Sequence, residues 1–349
     1  MSDPFLNSNS KILFIRSAFI GDFLVTIPFI EGLQKEHRLK IKNFYFLTIN
    51  NRGFDPAKEI FLDKIGGSCV LNTQNLILSL LKIRKTIRDQ HIDLIIYLPF
   101  SPATLIGGLK KYALTFFMFP LIKKIGFFSK IPASVSQYEA PYFALKRYFP
   151  IPFEFHSNYN SKLFDSTDRI FNIALYVNSQ LDMKIWPLEN YIQLIMLLNN
   201  AVQCQFHLIG GHGDYEYNQN LIEHLDLPNI KNVAGNFSIS GSIEFLDGMD
   251  LLIANDGSPV HMATLVNTPI VSLMTYKEPL GAWDPIGNNA VSIRANVDCK
   301  ECYLRNCDNN VCLTSIPVDY VFEEGISLLK YQESDQPAKQ VVLEIKEVL

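Results

Sequence analysis

The segment Asn255-Asp256-Gly257-Ser258-Pro259-Val260-His261 decides the fold class of this chain. An apolar run at residues 249–254, suited to a buried strand, precedes it, and a helix-like run at residues 259–266 follows. Ser258 is a good N-cap, and Pro259 fits the first helical position because it needs no hydrogen-bond partner there. Backbone N–H groups and the positive end of the helix dipole would then point out of the sheet edge, where α/β proteins hold phosphate. The segment therefore predicts a phosphate-binding corner, the alternative being a strand–turn–helix corner without a ligand.

Strand-like and helix-like runs alternate on both sides of this corner, which predicts parallel sheets covered by helices. In the first half we expect strands at residues 11–16, 43–48, 68–71 and 93–98, and helices at residues 22–35 and 73–90. In the second half we expect strands at residues 171–177, 205–209, 251–254 and 270–273, and helices at residues 188–200, 214–224 and 242–249. The predicted fold is α/β, with two doubly wound, Rossmann-like domains at residues 1–165 and 166–349 that face a cleft. Their linker is expected near residues 160–168.

Length, composition and charge narrow the class of protein further. A chain of 349 residues is long for one core and favours two domains. A hydrophobic content of 48% with 19% charged residues is typical of a globular protein, and a net charge of −4 argues against a nucleic-acid partner. The polar N-terminus resembles no signal peptide, and no apolar run reaches the roughly 18 residues of a spanning helix, so we expect a cytoplasmic location. The last residues, 318–349, look helical in parts, with a polar break at residues 332–336.

Three segments in order resemble the lipopolysaccharide heptosyltransferases of glycosyltransferase family 9. The first is Arg16-x-x-x-Ile20-Gly21-Asp22-x-Leu24-x-Thr26-x-Pro28, the second is Lys184-Ile185-Trp186-Pro187 followed by Tyr191, and the third is Asn255-Asp256-x-x-Pro259-x-His261-x-Ala263 followed by Thr268-Pro269. The resemblance extends over nearly the whole chain. It implies the GT-B fold, with the acceptor on the N-terminal domain and the nucleotide sugar on the C-terminal one. It also implies inverting transfer of heptose from ADP-heptose to a lipid-linked core oligosaccharide, with no catalytic metal.

The resemblance assigns catalytic roles to Asp22 and Lys184. Asp22 would be the general base that takes the proton from the attacking acceptor hydroxyl. The alternative is that Asp22 only caps a helix, as aspartate often does. Lys184 would neutralise the diphosphate leaving group, whose charge grows in the transition state, the alternative being a solvated surface lysine.

The resemblance also implies a set of donor-binding residues. Trp186 is expected to be a packing anchor beside the donor pocket, and His261 would reach the diphosphate or the sugar unless it is only packed. In the glycine-rich loop after the strand at residues 205–209, an acidic residue would lie near the ribose or base, and either Asp214 or Glu216 suits this role. The complete set is Gly21, Trp186, Gly211, Asp214, Asp256, Gly257, Ser258 and His261.

The corner differs from the usual family pattern in one respect. It reads Asp256-Gly257-Ser258-Pro259, whereas the family has Asp-Ser-Gly-Pro or similar. The glycine before the proline is thus replaced by Ser258, whose Cβ would restrict the approach of the backbone to the diphosphate. The choice of donor is therefore less well defined by the sequence than the fold.

Four cysteines lie within 14 residues in the pattern C-x2-C-x4-C-x4-C, at Cys299, Cys302, Cys307 and Cys312. Thiols this close in a reducing compartment indicate a tetrahedral structural metal site. Zinc and iron both accept four thiolates, and the resemblance extends to autotransporter heptosyltransferases that hold iron in such a cluster. Free thiols and disulfides are the alternatives.

Residues 110–130 mix lysine pairs with large apolar side chains. This composition suits an anionic membrane surface, such as the inner face of the cytoplasmic membrane, where a lipid-linked acceptor would lie. The alternative is a buried helix with lysines at its ends.

Other functions remain open at this stage. The same scaffold would suit another nucleotide sugar, a protein acceptor or a nucleotide-sugar 2-epimerase. A glycan-binding or assembly subunit without turnover is the non-enzymatic alternative, but such a subunit would not need a general base.

Overall fold

The computed structural model describes residues 6–17, 19–50, 54–72, 74, 83–84, 89–99, 115–116, 121–153, 169–330 and 338–344. The chain divides into two compact units, residues 1–154 and 155–349. The predicted linker and the boundary at 165/166 fall at residues 154–168, outside the described residues. Most of the predicted helix at residues 73–90 also lies outside them.

The first unit contains a five-stranded sheet in which every pair of neighbours is parallel. Its order is β3-β2-β1-β4-β5. The strands are β1 Ile12–Ser17, β2 Phe44–Asn50, β3 Gly67–Asn72, β4 Leu94–Tyr97 and β5 Lys123–Ile125. The described helices are α1 Ile20–Leu24, α2 Ile27–His37, α3 Pro56–Phe61 and α4 Ala140–Leu145.

Strand β1 is buried on both faces, which explains the unbroken apolar run at residues 12–15. Ile12 and Phe14 pack into one cluster of apolar side chains, and Leu13 and Ile15 pack into another. The alternation follows from the two-residue period of a strand. The sheet of this unit therefore has a hydrophobic core on each side.

The second unit contains a seven-stranded parallel sheet in the order β12-β11-β10-β9-β6-β7-β8. The strands are β6 Phe171–Tyr176, β7 Cys204–Leu208, β8 Ile230–Asn232, β9 Leu251–Asn255, β10 Ile270–Leu273, β11 Ala290–Ala295 and β12 Lys339–Leu343. The helices are α5 Leu188–Ala201, α6 Tyr215–Leu225, α7 Ile239–Asp247, α8 Ser258–Val266, α9 Val311–Thr314 and α10 Val318–Lys330. The predicted α/β class is confirmed, and the eight strands expected from the sequence are present.

The strand order in the second unit identifies where a ligand would bind. The chain runs from β6 outward through β7 to β8, then returns to β9 on the other side of β6. Ligands of doubly wound sheets bind beyond the carboxyl ends of the strands at such a reversal. The carboxyl ends of β6 and β9 therefore form the expected crevice.

Two predictions of local structure are wrong. The helix expected at residues 22–35 is two helices, α1 and α2, because Pro28 lies in the first turn of α2 and cannot donate the hydrogen bond that would continue α1. The sequence pattern also missed β5, β8, β11 and β12, of which β5, β8 and β12 are edge strands. Among the residues that the structure describes, no helix is long and apolar enough to cross a membrane.

Candidate functional site

Asn255, the last residue of β9, joins the ends of the two strands at the crevice. Its side chain is fully buried, and its Oδ1 accepts hydrogen bonds from the Trp186 amide at 3.1 Å and the Tyr191 hydroxyl at 3.0 Å. Its Nδ2 donates to the carbonyl oxygens of Val177 at 2.9 Å and Asn178 at 3.3 Å. Asn255 therefore fixes the loop that leaves β6, which carries the Lys184 segment, against the end of β9.

Asp256 and Lys184 form a close ion pair in this crevice. The Lys184 Nζ lies 2.5 Å from Asp256 Oδ2, and the Asp256 side chain is only 7% exposed. Burial by itself would raise the pKa of Asp256, but the charge and hydrogen bond of Lys184, helped by His261 and Lys277, hold that pKa below its ordinary value. Asp256 is therefore an anion at neutral pH, and Lys184 is not a solvated surface lysine.

The start of α8 differs from the prediction. The helix begins at Ser258, so Gly257 is the N-cap and the predicted cap by Ser258 is wrong. Gly257 has an extended backbone, and a Cβ there would come 2.7 Å from Cε1 of the Tyr176 ring. Close approach of that ring thus requires glycine at position 257, one residue before the position at which the family pattern has glycine.

Tyr176 was missed by the sequence reasoning, although it ends a strand at the crevice. Burial, together with the charges of Asp214 and Asp256, raises its pKa above the ordinary tyrosine value. The phenol therefore stays protonated between two acidic groups, where it can donate a hydrogen bond. Its position at the end of β6 was the one available signal.

His261 lies inside α8 and is 4% exposed. Its ring packs beside Trp283, with centroids 5.8 Å apart. Burial lowers the pKa of His261 to about 4, in spite of the opposing charge of Asp256. At neutral pH the imidazole is therefore uncharged, so His261 can act on a ligand as a hydrogen-bonding group but not as a cation.

Asp214 is held by the loops that follow β6 and β7. Its Oδ2 accepts from the Gly211 amide at 2.7 Å and its Oδ1 accepts from Asn178 Nδ2 at 2.8 Å. Gly210, with φ at +156°, could not carry a side chain, because a Cβ would meet Asp214 Oδ2 at 2.5 Å. Glu216, the other acid considered for the ribose or base, lies in the first turn of α6.

Trp186 is fully buried, and its Nε1 donates to the Ile316 carbonyl at 3.2 Å. Its ring meets Tyr191 edge to face, with centroids 5.0 Å apart. The indole is thus packed on all sides and offers no surface on which a base could stack.

In the first unit, Asp22 is the third residue of α1 and follows Gly21 in that helix. Its Oδ2 accepts from the Phe19 amide at 2.9 Å, so the helix-capping role is present. Arg16 lies beneath it, 1% exposed, and donates from Nε to the Asp22 carbonyl at 3.2 Å and from Nη1 to the Leu98 carbonyl at 3.0 Å. Arg16 thus ties the turn after β1 to the end of β4, a role that the sequence motif did not reveal.

The four cysteines are not assembled as a metal centre. Cys299 is exposed, Cys302 and Cys307 are half-buried, and Cys312 is buried. Burial raises the pKa of the Cys312 thiol, and the charges of Cys299 and Cys307 add to this effect. Among the described residues, which include all four cysteines, no group of three or more ligands is arranged to hold a metal ion.

Comparisons with known proteins agree with the fold and the motifs. The family model for glycosyltransferase family 9 (heptosyltransferase) matches residues 138–312, half of the chain. Lipopolysaccharide heptosyltransferase 1 of Campylobacter coli is 31% identical over 106 residues, which are 29% of this chain and 31% of that protein. The chain thus matches about a third of the length of this curated relative.

Two solved structures share the architecture over most of their length. A family 9 glycosyltransferase of Veillonella parvula has a TM-score of 0.68 at 17% identity, covering 93% of this chain and 99% of that one. The ADP-heptose lipopolysaccharide heptosyltransferase II of E. coli has a TM-score of 0.66 at 17% identity, covering 93% and 100%. The fold is therefore the α/β fold of GT-B glycosyltransferases, and the chain belongs to glycosyltransferase family 9.

Proposed function

We propose that this protein transfers heptose from ADP-heptose to a lipopolysaccharide or lipooligosaccharide core acceptor, with inversion at the anomeric carbon. The observation that carries this proposal is the buried Lys184–Asp256 ion pair at the strand reversal of the second unit. Membership of the heptosyltransferase family supports the same reaction class. The similar E. coli structure is described as an ADP-heptose enzyme, which favours this donor over other nucleotide sugars.

Lys184 and the start of α8 would stabilise the leaving ADP. As the bond to the anomeric carbon breaks, negative charge grows on the β-phosphate oxygen that leaves with ADP, and a fixed ammonium group lowers the energy of that state. The first N–H groups of α8, at Ser258 and its neighbours, point to the same edge and favour an anion. Asp256 would hold Lys184 in place before the donor arrives. Together these residues supply the electrostatic stabilisation for which other glycosyltransferases use a divalent ion, and we propose that no catalytic metal is needed.

Asp22 would act as the general base. The Oδ2 atom of Asp22 already accepts a hydrogen bond from the Phe19 amide. The Oδ1 atom would therefore accept the proton of the acceptor hydroxyl as the hydroxyl oxygen attacks the anomeric carbon. The attack displaces ADP from the opposite face, which inverts the configuration. Arg16 donates to the backbone carbonyl of Asp22 and would therefore fix the turn that carries this carboxylate.

The reaction can be tested with purified protein, ADP-heptose and a truncated core acceptor. We expect ADP release that matches product formation, an inverted anomeric configuration by NMR, and the same rate in EDTA. Lys184→Met should abolish most turnover, whereas Lys231→Met, at an exposed position of β8, should not. Transfer from a UDP-sugar instead of ADP-heptose would overturn the choice of donor.

We also propose peripheral binding to anionic membranes through the described part of the basic aromatic stretch. Leu121, Phe116 and Phe128 are 98%, 49% and 43% exposed, and the Lys124 ammonium lies 5.3 Å from the centre of the Phe116 ring. Exposed apolar groups beside lysines suit an anionic headgroup region. Residues 110–114 and 117–120 of this stretch lie outside the described residues.

Co-sedimentation with phosphatidylglycerol vesicles tests the membrane proposal. Binding should weaken with salt and in Leu121→Ser, and should be small with phosphatidylcholine. Equal binding to both lipids at every salt concentration would contradict it.

A structural metal at the four cysteines remains a proposal of its own. Four thiols within 14 residues have the chemistry that zinc or iron prefers, although the side chains are not arranged around a common centre. The ion would cross-link residues 299–312 and would take no part in transfer. Elemental analysis should find about one zinc or iron per chain, lost in Cys302→Ser but kept in Cys69→Ser. The proposal would be contradicted if the purified protein contained no metal and if adding zinc or iron left its melting temperature unchanged.

A further inference from the structure

We infer that Lys277 is a second cation for the diphosphate of the donor, acting beside Lys184. The inference rests on the proposed function, because it assumes that the crevice binds a nucleoside diphosphate. It concerns a residue outside the three segments that resemble the family.

Lys277 follows β10, which is the neighbour of β9 in the sheet. Leu273, at the end of β10, is in register with Asn255, and its carbonyl accepts a hydrogen bond from the Asp256 amide at 3.1 Å. The loop that carries Lys277 therefore leaves the sheet beside Asp256. Lys277 is only 8% exposed, which is unusual for a lysine.

The ammonium group of Lys277 has a loose partner for a buried cation. The described ion pair joins its Nζ to Glu278 Oε1 at 3.4 Å, and the Glu278 side chain is 26% exposed. The charge of Lys277 also acts on Asp256, since it contributes to the lowered pKa of that carboxyl group. Two lysines thus influence one buried carboxylate. A buried lysine whose ion pair among the described residues is as long as 3.4 Å marks a place where an incoming anion would be favourable.

Two backbone hydrogen bonds hold the loop that carries Lys277 in place. The Lys277 carbonyl accepts from the Tyr303 amide at 2.9 Å, and the Tyr276 carbonyl accepts from the Glu301 amide at 2.6 Å. The guanidinium of Arg294 lies 5.7 Å from the centre of the Tyr276 ring. A cation on a fixed backbone loses less freedom when it binds a ligand, which favours affinity.

The charge of the ligand explains why a second cation would be useful. The diphosphate of a nucleotide sugar carries about two negative charges, and free ADP carries more, so Lys184 alone leaves part of this charge unbalanced. Glu278 would release Lys277 toward the phosphates as the anion enters. We therefore expect Lys277 to matter more for ADP than for AMP, which lacks the second phosphate.

Calorimetric titration of the full chain with ADP and AMP tests the inference. Lys277→Met should weaken ADP binding by about tenfold, the effect of losing one charge-assisted contact, and should weaken AMP binding much less. Glu278→Gln should strengthen ADP binding, because it removes the competing carboxylate. Lys231→Met is the control for loss of an exposed positive charge, and circular dichroism checks that each variant is folded.

The outcomes separate this inference from the proposed function. If Lys184→Met loses ADP binding while Lys277→Met and Glu278→Gln bind like the wild type, the Lys277 inference is wrong and the donor site stands. If the wild type binds neither ADP nor AMP, both fail. If Lys277→Met does not fold, the gain expected in Glu278→Gln decides, and weaker or unchanged ADP binding in that variant overturns the inference.

Discussion

Replacing Gly257 by alanine should destabilise the second unit through a single steric contact. The added methyl carbon would lie 2.7 Å from Cε1 of Tyr176, whereas carbon atoms pack best at about 3.5–4.0 Å. The Tyr176 ring is 7% exposed at the end of β6, so it can move only by displacing its neighbours. Overpacking of this kind costs about 1–3 kcal/mol of unfolding free energy. We expect a loss in this range for Gly257→Ala, with weaker ADP binding because the start of α8 shifts.

Urea unfolding followed by circular dichroism measures this loss. Gly213→Ala is the matched control, since a Cβ at that position meets no atom within 4 Å, and it should change stability by about 0.5 kcal/mol or less. A double-mutant cycle with Tyr176→Leu isolates the contact, and the two changes should couple favourably by about 1 kcal/mol or more. A Gly257→Ala protein as stable as Gly213→Ala, with no coupling to position 176, would refute the steric argument.

Three further perturbations address other parts of the site. Asp22→Asn should lower turnover at least about a hundredfold while ADP affinity stays near the wild-type value, and normal turnover would remove Asp22 as the base. The pKa of His261 is about 4 in the folded chain and 6.5 ordinarily, so the unfolded state binds more protons between these values and stability should fall as the pH drops from 6.5 to 4. For this pKa shift the loss of unfolding free energy is about 3 kcal/mol. Urea midpoints measured at several pH values should therefore depend less on pH in His261→Asn than in the wild type. Asp284→Asn leaves the buried guanidinium of Arg294 in β11 without its carboxylate partner, and the free energy of unfolding should fall by about 3–5 kcal/mol. An unchanged melting temperature would show that this ion pair does not stabilise the protein.

Several of the parallel strands were predictable because they contain continuous apolar runs, such as residues 94–97 of β4. A strand buried on both faces favours an unbroken apolar run, as at residues 12–15 of β1 and 251–254 of β9, where the polar residues Arg16 and Asn255 follow only after the run. In β11 the polar residues Ser292 and Arg294 interrupt the apolar run inside the strand, and the charge of Arg294 is neutralised by Asp284 from the preceding loop. A local sequence pattern includes Arg294 but gives no sign that Asp284 neutralises it, so β11 was not predicted.

The position of the candidate site in the fold was predictable from the sequence, whereas its ion pair, its helix cap and the charge of its histidine were not. The family motifs gave Lys184 and Asp256, but their ion pair joins residues 72 positions apart and no local pattern reports it. Ser258 looked like the cap because serine caps helices well, whereas the helix already begins at Ser258 and Gly257 is its N-cap. The neutral state of His261 follows from burial, which a single helical histidine does not reveal.

Binding of ADP-heptose to the purified chain tests the central claim most directly. Calorimetry should show binding of ADP-heptose that is tighter than that of UDP-sugars and is lost in Lys184→Met but kept in Lys231→Met. Equal binding by both variants, or a preference of the wild type for a UDP-sugar, would contradict the account of the donor site.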